Sequence, residues 1–423
     1  MKSTPTADVR AWSLDLETAL GRRLRTEPGP LLARRTATLR LDAGDAGAWL
    51  VVLRRGRPVT WGRADDTSPA ARRTTTTVSC DIATLAALVD GRASGVLAFL
   101  DGTLTVRGDL GLALALDGVF LHPNRPDRWA RTGLVDVRVR HRAIPTSVIS
   151  AGRPDAPPIV LLHGLGATSA SMLPLVDDLA ADHLVHAPDL PGFGDTAKPK
   201  AAYDPELFSQ WLVALLDSLG HERAVIVGNS LGGRVALEIG LRAPDRVRGL
   251  VLLCPSPAWR RVRQLVPIAR MLRLDLLAGL PWPRPSHAYL VECIREMFSV
   301  PDRLPLPWYE AAADEALRVL REPAARHALI AATRQVYLEE GTGEAGFWTR
   351  LPQLTVPSLF VWGDRDRLVP ASFARHVTAA LPSAQSVVLD DCGHVPQFEL
   401  PDETARHLRA FLNTLPAHGQ ASA

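Results

Sequence analysis

The sequence is poor in cysteine and almost without lysine. Its four cysteines, Cys80, Cys254, Cys293 and Cys392, lie far apart and form no C-x-x-C pair, so neither zinc-ligand spacing nor a dithiol redox motif is present. Only three of the 48 basic residues are lysines, and no basic cluster is interleaved with stacking aromatic residues. The net charge of +3 is small for this length. We therefore expect no nucleic-acid partner.

Long hydrophobic runs are lacking as well. The first residues, M-K-S-T-P-T-A-D-V-R, contain no apolar core of a signal peptide, and no apolar stretch is long enough to cross a bilayer. We therefore expect a cytoplasmic protein with reduced thiols.

Apolar residues are plentiful enough for two cores. The chain has 423 residues, of which 47% are hydrophobic, and this length exceeds one ordinary domain. The polar, proline-bearing stretch at 122–133 predicts an interdomain linker. We expect a first domain over 1–122, a linker at 123–135, a second domain over 136–415 and a disordered tail at 416–423.

The second domain alternates short apolar strands with helix-period segments such as 205–219. The predicted strands are 159–162, 184–187, 224–227, 250–253 and 358–362. Buried strands at this spacing predict βα units, a parallel sheet and helices on both faces. A proline- and arginine-rich tract over 255–308 interrupts the alternation.

A serine between two glycines follows one of these strands, in V-I-V-G-N-S-L-G-G-R (225–234). Gly228 and Gly232 leave room for the sharp turn that would expose Ser230 at the carboxyl edge of the sheet. The following helix would aim its N-terminal N–H groups at the same point. This context predicts a nucleophile, whereas the plainer alternative is a glycine-rich turn with a solvated serine.

A serine nucleophile needs a base, and the base needs an orienting acid. Both follow later in the chain, after two further strands, in the order acid and then histidine. Asp364 and Asp366 compete for the role of the acid in W-G-D-R-D-R-L-V-P, and we favour Asp366. His394, in C-G-H-V-P-Q-F-E, is the predicted base. Asp364 would then cap the turn.

The oxyanion of a tetrahedral intermediate needs two donors. We expect one to be the N–H of Leu231, directly after the nucleophile, and the other to be the N–H of Leu165 in H-G-L-G (163–166). His163 is predicted to be structural. The glycine-rich loop D-L-P-G-F-G-D (189–195) has no lysine positioned for a phosphate, so a nucleotide site is not expected there.

Taken in order, H-G-L-G, D-L-P-G-F-G-D, G-N-S-L-G-G, W-G-D-R-D-R-L-V-P and C-G-H-V-P-Q-F-E make residues 136–415 resemble an α/β hydrolase. The resemblance implies a doubly wound, mostly parallel sheet. It also implies Ser230 as nucleophile, Asp366 as acid, His394 as base and an inserted helical cap at about 255–345. Neither a metal nor an organic cofactor is implied.

Two alternatives stay open. Asn229 makes G-N-S resemble serine hydrolases that cleave carbon–carbon bonds of ring-fission products. Those relatives usually carry a tryptophan after the histidine, where this chain has Val395. The other alternative is a non-catalytic protein that binds or transfers lipid.

The first domain offers no catalytic constellation. Alternating segments at 36–41, 48–53, 58–61 and 75–80 predict strands, with R-R-G-R as a tight turn between two of them. Residues 81–91 predict a helix capped by Asp81, and 102–108 another strand. Residues 109–120 predict a final helix that is apolar on nearly every side. Such a helix must be buried on every side or line an apolar cavity.

This order of elements, with S-G-V-L-A-F-L-D-G-T-L-T-V-R-G-D (94–109), makes residues 25–122 resemble a sterol carrier protein domain, which is a small α+β domain. Such domains hold a lipid in an apolar tunnel. The resemblance places these residues near the tunnel: Leu110, Leu112, Leu114, Leu116, Val119 and Phe120.

Five arginines and an apolar side mark the segment 259–277. A basic amphipathic segment of this kind can contact a membrane surface transiently, or it can roof the active site as a cap helix. Either role favours a hydrophobic or lipid-like substrate. The sequence therefore predicts a serine hydrolase that cleaves an ester or thioester of such a substrate through an acyl-enzyme, while the first domain binds or presents lipid.

Overall fold

The computed structural model describes residues 16–121, 130–256, 285–337, 341, 343 and 346–416. Its strands, numbered in chain order, are β1 (Ala37–Asp42), β2 (Ala48–Leu53), β3 (Thr60–Arg63), β4 (Thr76–Cys80), β5 (Leu104–Gly108), β6 (Arg131–Val139), β7 (Arg142–Ala151), β8 (Pro158–Leu162), β9 (Leu184–Pro188), β10 (Ala224–Asn229), β11 (Val247–Leu253), β12 (Ser358–Gly363) and β13 (Gln385–Leu389).

The helices are α1 (Pro30–Ala33), α2 (Ile82–Val89), α3 (Gly95–Leu100), α4 (Leu110–Leu114), α5 (Leu173–Leu179), α6 (Pro205–Ser218), α7 (Leu231–Arg242), α8 (His287–Arg295), α9 (Leu306–Arg321), α10 (Pro323–Ala332), α11 (Phe347–Arg350), α12 (Phe373–Ala380), α13 (Pro396–Glu399) and α14 (Pro401–Leu412).

The N-terminal domain is built on a five-stranded sheet in the order β3-β2-β1-β4-β5. β1 and β4 run parallel, and the other neighbours are antiparallel. Trp49 and Val51 are buried on one face of β2, as expected for a strand covered by helices. Asp81 caps α2 as predicted, because its carboxylate accepts from the N–H of Thr84 at 2.9 Å.

The C-terminal domain contains an eight-stranded sheet in the order β13-β12-β11-β10-β8-β9-β7-β6. Its pairs from β9 through β8, β10, β11 and β12 to β13 are parallel, whereas β7 and β6 add an antiparallel edge. β8 and β10 are buried along their whole length. The prediction of a mostly parallel sheet from short apolar runs is therefore confirmed.

The predicted linker needs a correction at its C-terminal end. Residues 131–135, placed in the linker, begin β6, which pairs with β7 from Arg131 opposite Ser150 onward. β6 is an edge strand with several exposed side chains, so its composition is like that of a loop. Residues 122–129 of the linker prediction lie outside the described residues, as do residues 417–423 of the predicted tail.

The apolar helix predicted over 109–120 is also shorter than expected. Asp109 caps α4 by accepting from the N–H of Leu112, and the α-helix ends at Leu114. The chain then tightens into a 3-10 turn that ends at Gly118.

An insertion between β11 and β12 carries α8, α9 and α10. Residues 257–284, which include the predicted basic segment 259–277, lie outside the described residues. Within the described ranges, no helix is both long and apolar enough to span a membrane.

The N-terminal domain packs directly on α9 of this insertion. Arg107 donates from Nε to a carboxylate oxygen of Asp314 at 2.9 Å, and the N–H of Gly108 donates to the same oxygen at 2.8 Å. Phe99 of α3 stacks on Trp308 of α9, with ring centroids 4.9 Å apart. Trp308 also makes an edge contact with Phe398 of α13 at 5.2 Å. An aromatic bridge of Phe99, Trp308 and Phe398 therefore joins the N-terminal domain to the helix that follows His394.

Candidate active site

Ser230 lies at the turn between β10 and α7, with a positive φ of 54°. Such a conformation is strained for a residue with a side chain. A Cβ at Gly228 would lie 2.3 Å from the backbone of Gly232, and one at Gly232 would lie 2.2 Å from the carbonyl oxygen of Leu162. Both glycines are therefore required for the backbone to pass through this turn, as the sequence predicted.

The hydroxyl of Ser230 faces a buried environment. Ser230 is 4% exposed, and its Oγ lies 3.4 Å from the Oγ of Ser256. The N–H of Ser256 donates to the carbonyl oxygen of Ser230 at 3.1 Å. Sequence reasoning missed Ser256, although it follows β11 at the same edge of the sheet where β10 delivers Ser230.

Asp366 and His394, the predicted acid and base, lie in contact with each other. Nδ1 of His394 lies 2.8 Å from Oδ2 of Asp366, and both residues are buried. Oδ1 of Asp366 accepts from the N–H groups of Leu368 and Val369, each at 2.8 Å. These bonds fix the carboxylate in the orientation that the imidazole needs.

Asp364 makes a contact different from that of Asp366. Its Oδ1 accepts from the N–H of Cys392 at 3.1 Å, so it ties the loop after β12 to the loop that carries His394. The structure thus brings Asp366, and not Asp364, to the imidazole.

The loop of His394 is held from three sides. The N–H of His394 donates to the carbonyl oxygen of Met297 in the insertion at 2.8 Å. The buried carboxylate of Glu399 accepts from the N–H of Gly393 at 2.7 Å. Nδ2 of Asn229 donates to the carbonyl oxygen of His394 at 3.0 Å. The residue before Ser230 is therefore bonded to the histidine itself.

The two predicted oxyanion donors, Leu231 and Leu165, belong to segments that pass beside Ser230. Leu231 begins α7, whose first N–H groups lack partners within the helix. Leu165 follows Gly164, where an added Cβ would lie only 3.4 Å from Cβ of Ser230. The loop after β8 therefore passes close to the serine.

His163 supports this loop and is not placed as a base. Its Nε2 accepts from the N–H of Leu190 at 2.9 Å, so its Nδ1 carries the proton and donates to the carbonyl oxygen of Gly164 at 2.8 Å. Complete burial lowers the pKa of His163, which keeps the ring neutral. Its role is structural, as predicted.

Cys254, Asp366 and His394 also present sulfur, oxygen and nitrogen atoms within 4.8 Å of one another, which suggests a metal site. A metal would need the thiolate of Cys254. Burial, and next the Asp366 carboxylate, raise the pKa of this thiol well above its ordinary value. Both oxygens of Asp366 already accept hydrogen bonds. The arrangement therefore suits proton transfer better than metal binding.

An apolar cavity that opens to solvent lies within the N-terminal domain. Its wall includes Phe99 and four of the residues placed near a tunnel by the sequence, namely Leu110, Leu114, Leu116 and Phe120. The other two of that set, Leu112 and Val119, are buried but are not part of this wall.

Comparisons with known proteins match both parts of the chain. Residues 157–401 match the family model of the alpha/beta hydrolase fold, and residues 17–121 match the model of the SCP-2 sterol transfer family. The second match begins before residue 25, where the sequence resemblance was placed.

Among curated relatives, the pimeloyl-[acyl-carrier protein] methyl ester esterase of Aeromonas hydrophila is 30% identical over 262 residues, covering 60% of this chain and 95% of the relative. Lipase 1 of Psychrobacter immobilis is 28% identical over 262 residues, covering 62% of this chain and 78% of the lipase.

Two solved structures are similar at 28% identity. A membrane phospholipase A, described as a bacterial virulence factor, aligns with a TM-score of 0.55 over 67% of this chain and 86% of its own. A 2-hydroxy-6-oxo-6-phenylhexa-2,4-dienoate hydrolase from Rhodococcus sp. strain RHA1 aligns with a TM-score of 0.54 over 67% of this chain and 100% of its own.

Proposed function

Since the chain belongs to the α/β-hydrolase family and carries an N-terminal domain of the SCP-2 sterol transfer family, we propose that it is a serine hydrolase of lipid-like esters or thioesters. The proposal includes a cytoplasmic location and transient contact with a membrane surface, both of which rest on the sequence. The observation that carries it is the 2.8 Å contact between Asp366 and His394. This contact lies at the edge of the sheet where Ser230 follows β10.

In this proposal His394 acts as the base. Asp366 accepts a hydrogen bond from the Nδ1–H of His394, so Nε2 carries no proton and can take the proton of Ser230. Oγ of Ser230 then attacks the carbonyl carbon, and the developing oxyanion accepts from the N–H groups of Leu231 and Leu165.

The histidine next gives its proton to the leaving alcohol or thiol, which leaves an acyl group on Ser230. Water then attacks the carbonyl carbon of this acyl group while His394 takes its proton. The ester bond to Ser230 breaks, the serine regains a proton from His394, and the carboxylic acid is released.

The N-terminal domain supplies the lipid in this proposal. Its apolar cavity is lined by Phe99, which reaches α13 beside His394 through Trp308. The cavity would take the hydrophobic part of a substrate, because apolar surface buried there is removed from water.

The test uses p-nitrophenyl esters of increasing chain length. We expect the parent to turn them over and Ser230→Ala to lose turnover by about a million-fold, as for nucleophiles of such triads. Ser218→Ala, which removes an exposed hydroxyl on α6, is the matched control and should retain the parent's activity. Equal rates for the parent and Ser230→Ala would reject Ser230 as the nucleophile.

Carbon–carbon bond hydrolysis is the second candidate. It is favoured by the likeness to the dienoate hydrolase and by Asn229 before the serine. Turnover of a ring-fission dienoate, measured by loss of its visible absorbance, together with inactivity on every ester would select this reaction over ester hydrolysis.

A further inference from the structure

Seven arginines of the N-terminal domain form no ion pair within the described residues. They lie in the stretches 22–34 and 54–57, where Glu27 is the only carboxylate of the sequence. The seven are Arg22, Arg23, Arg25, Arg34, Arg54, Arg55 and Arg57. Because a guanidinium does not lose its proton in proteins, these stretches carry positive charge that no neighbouring acid balances.

Backbone contacts bring the two stretches together. The R-R-G-R turn (54–57) joins β2 to β3, and the N–H of Arg55 donates to Oγ1 of Thr36 at 3.4 Å. The N–H of Val59, just after the turn, donates to the carbonyl oxygen of Thr26 at 3.1 Å. The turn is therefore held against the chain on both sides of α1, and the seven arginines share one end of the five-stranded sheet.

Two exposed apolar side chains border these arginines. Trp61 is 36% exposed and Leu121 is 42% exposed. Cζ2 of Trp61 would lie 3.4 Å from a Cβ added at Gly21, the residue before Arg22. Nη1 of Arg23 donates to the carbonyl oxygen of Leu121 at 3.3 Å. We call the seven arginines, Trp61 and Leu121 the basic surface.

The basic surface adjoins a wall of the apolar cavity. Phe120, which lines that cavity, directly precedes Leu121. Phe120 also pairs with Leu24 in an isolated antiparallel bridge, between Arg23 and Arg25 in the chain. The basic surface is therefore continuous with the part of the domain that is proposed to hold lipid.

An anionic bilayer matches both properties of the basic surface. Its head groups relieve the repulsion among like charges, and each basic residue near the bilayer strengthens binding by about fivefold. Its interface also takes up tryptophan and leucine side chains, which then leave water. A nucleic acid would supply the negative charge but no apolar interior for Leu121.

We infer that the basic surface docks the protein on membranes that contain anionic lipids. This inference rests on the proposed function, whose membrane contact it places on the N-terminal domain and not on the segment 259–277. It also narrows the partner to a bilayer of negative surface charge.

The test measures cosedimentation of the full chain with large vesicles, using Ser230→Ala so that no lipid is consumed. The vesicles are phosphatidylcholine alone or phosphatidylcholine with phosphatidylglycerol. We expect partitioning to be at least about 30-fold stronger into the anionic vesicles. Raising NaCl from about 0.1 M to about 0.5 M should weaken it at least about tenfold, because salt screens the charges. Equal partitioning into both vesicles would overturn the inference.

A triple variant locates the contact. Arg54→Gln, Arg55→Gln and Arg57→Gln, combined in an exposed turn, should weaken partitioning into anionic vesicles at least about 30-fold. Urea unfolding should give the same midpoint as the parent, since none of the three forms an ion pair within the described residues. Undiminished partitioning of this variant would contradict the assigned surface.

The matched control removes the same charge from the C-terminal domain. It combines Arg138→Gln, Arg153→Gln and Arg406→Gln, at exposed arginines that pair with carboxylates. We expect it to weaken partitioning less than about fivefold, because the substituted residues lie away from the basic surface. An effect equal to that of the turn variant would show that only net charge matters and would overturn the inference.

Two further comparisons separate the alternatives. Arg260→Gln, Arg261→Gln and Arg263→Gln alter the segment 259–277, and a loss confined to this variant would overturn the inference. Tighter binding of the parent to a DNA duplex than to anionic vesicles would do so as well, in favour of a nucleic acid. Failure of the proposed function is distinguishable, because vesicle binding is measured without turnover and ester turnover without vesicles.

Discussion

Asn229 and His394 are joined by a hydrogen bond of 3.0 Å, from Nδ2 of the amide to the main-chain oxygen of the histidine. The same Nδ2 donates to the carbonyl oxygen of Leu253 at 3.1 Å. The residue before the proposed nucleophile thus holds the loop of the proposed base against the end of β11.

Removing this amide should misplace His394. We expect Asn229→Leu to lower kcat by about 100-fold with little change in KM, since displacements of about 1 Å can cost that much. The measurement is steady-state kinetics on the best ester, with the pH profile of kcat to report the histidine. Asn413→Leu, at an exposed asparagine, is the control. A normal kcat for Asn229→Leu would show that the bond does not position the base.

Substitutions of the two aspartates after β12 should differ strongly in their effect on turnover. Asp366→Asn should lower turnover by about 10⁴-fold, as when the acid of a Ser-His-Asp triad becomes an amide and the histidine takes the wrong tautomer. Asp364→Asn keeps the imidazole's partner and should lower turnover far less. The measurement is kcat/KM for both variants. A larger loss for Asp364→Asn would reverse the assignment of the acid.

His186 should make stability depend on pH. Its Nε2 lies 3.0 Å from Nε2 of His221, and its Nδ1 lies 2.9 Å from Oγ of Ser150. Burial, together with the charges of His221 and Arg131, lowers the pKa of His186 from 6.5 to about 4. Between these values the unfolded chain binds the extra proton, so stability falls as the pH falls.

The expected loss from this one histidine is about 2 kcal/mol between pH 7 and pH 5. Urea unfolding of the parent and of His186→Gln at both pH values measures it, because the variant should lack this part of the decrease. Parallel decreases in the two proteins would show that His186 is not the group responsible.

The stacked rings of Phe99 and Trp308 should couple the stabilities of the two domains. In a double-mutant cycle of Phe99→Leu and Trp308→Leu, we expect a coupling energy of about 1 kcal/mol, as measured for aromatic pairs. Urea unfolding of the full chain supplies the four values. A cycle of Phe99→Leu with Trp61→Leu, at a ring on β3, should be additive. Additivity in the first cycle would contradict the packing of the rings.

The local sequence pattern was sufficient to predict the strand and the turn that carry Ser230. β10 and the turn at Ser230 follow from a β-branched run and two glycines, because few other residues could enter that turn. The choice between Asp364 and Asp366 could not be made in the same way. Both follow one strand, and only the direction of each carboxylate separates them.

Contacts between distant segments could not be predicted from periodicity. Nothing local to Trp308 indicates that its ring stacks on Phe99 and lies nearly perpendicular to the ring of Phe398. β6 was mistaken for linker over 131–135 because an edge strand needs few apolar residues. Ser256, by contrast, could have been found, since its strand ends beside β10.

The contact of Arg107 with Asp314 should couple the substitutions that evolution accepts at these two positions. Asp314 accepts from both the guanidinium of Arg107 and the N–H of Gly108. The insertion of the C-terminal domain therefore carries a carboxylate that matches β5 of the N-terminal domain. Loss of either partner would break this contact, although Arg107 would keep Glu310 at 3.3 Å and Asp314 would keep Nε2 of His287 at 3.3 Å. Substitutions at 107 and 314 should therefore be inherited together in related two-domain chains, and a hydrolase that lacks the first domain has no need of an acid at this position.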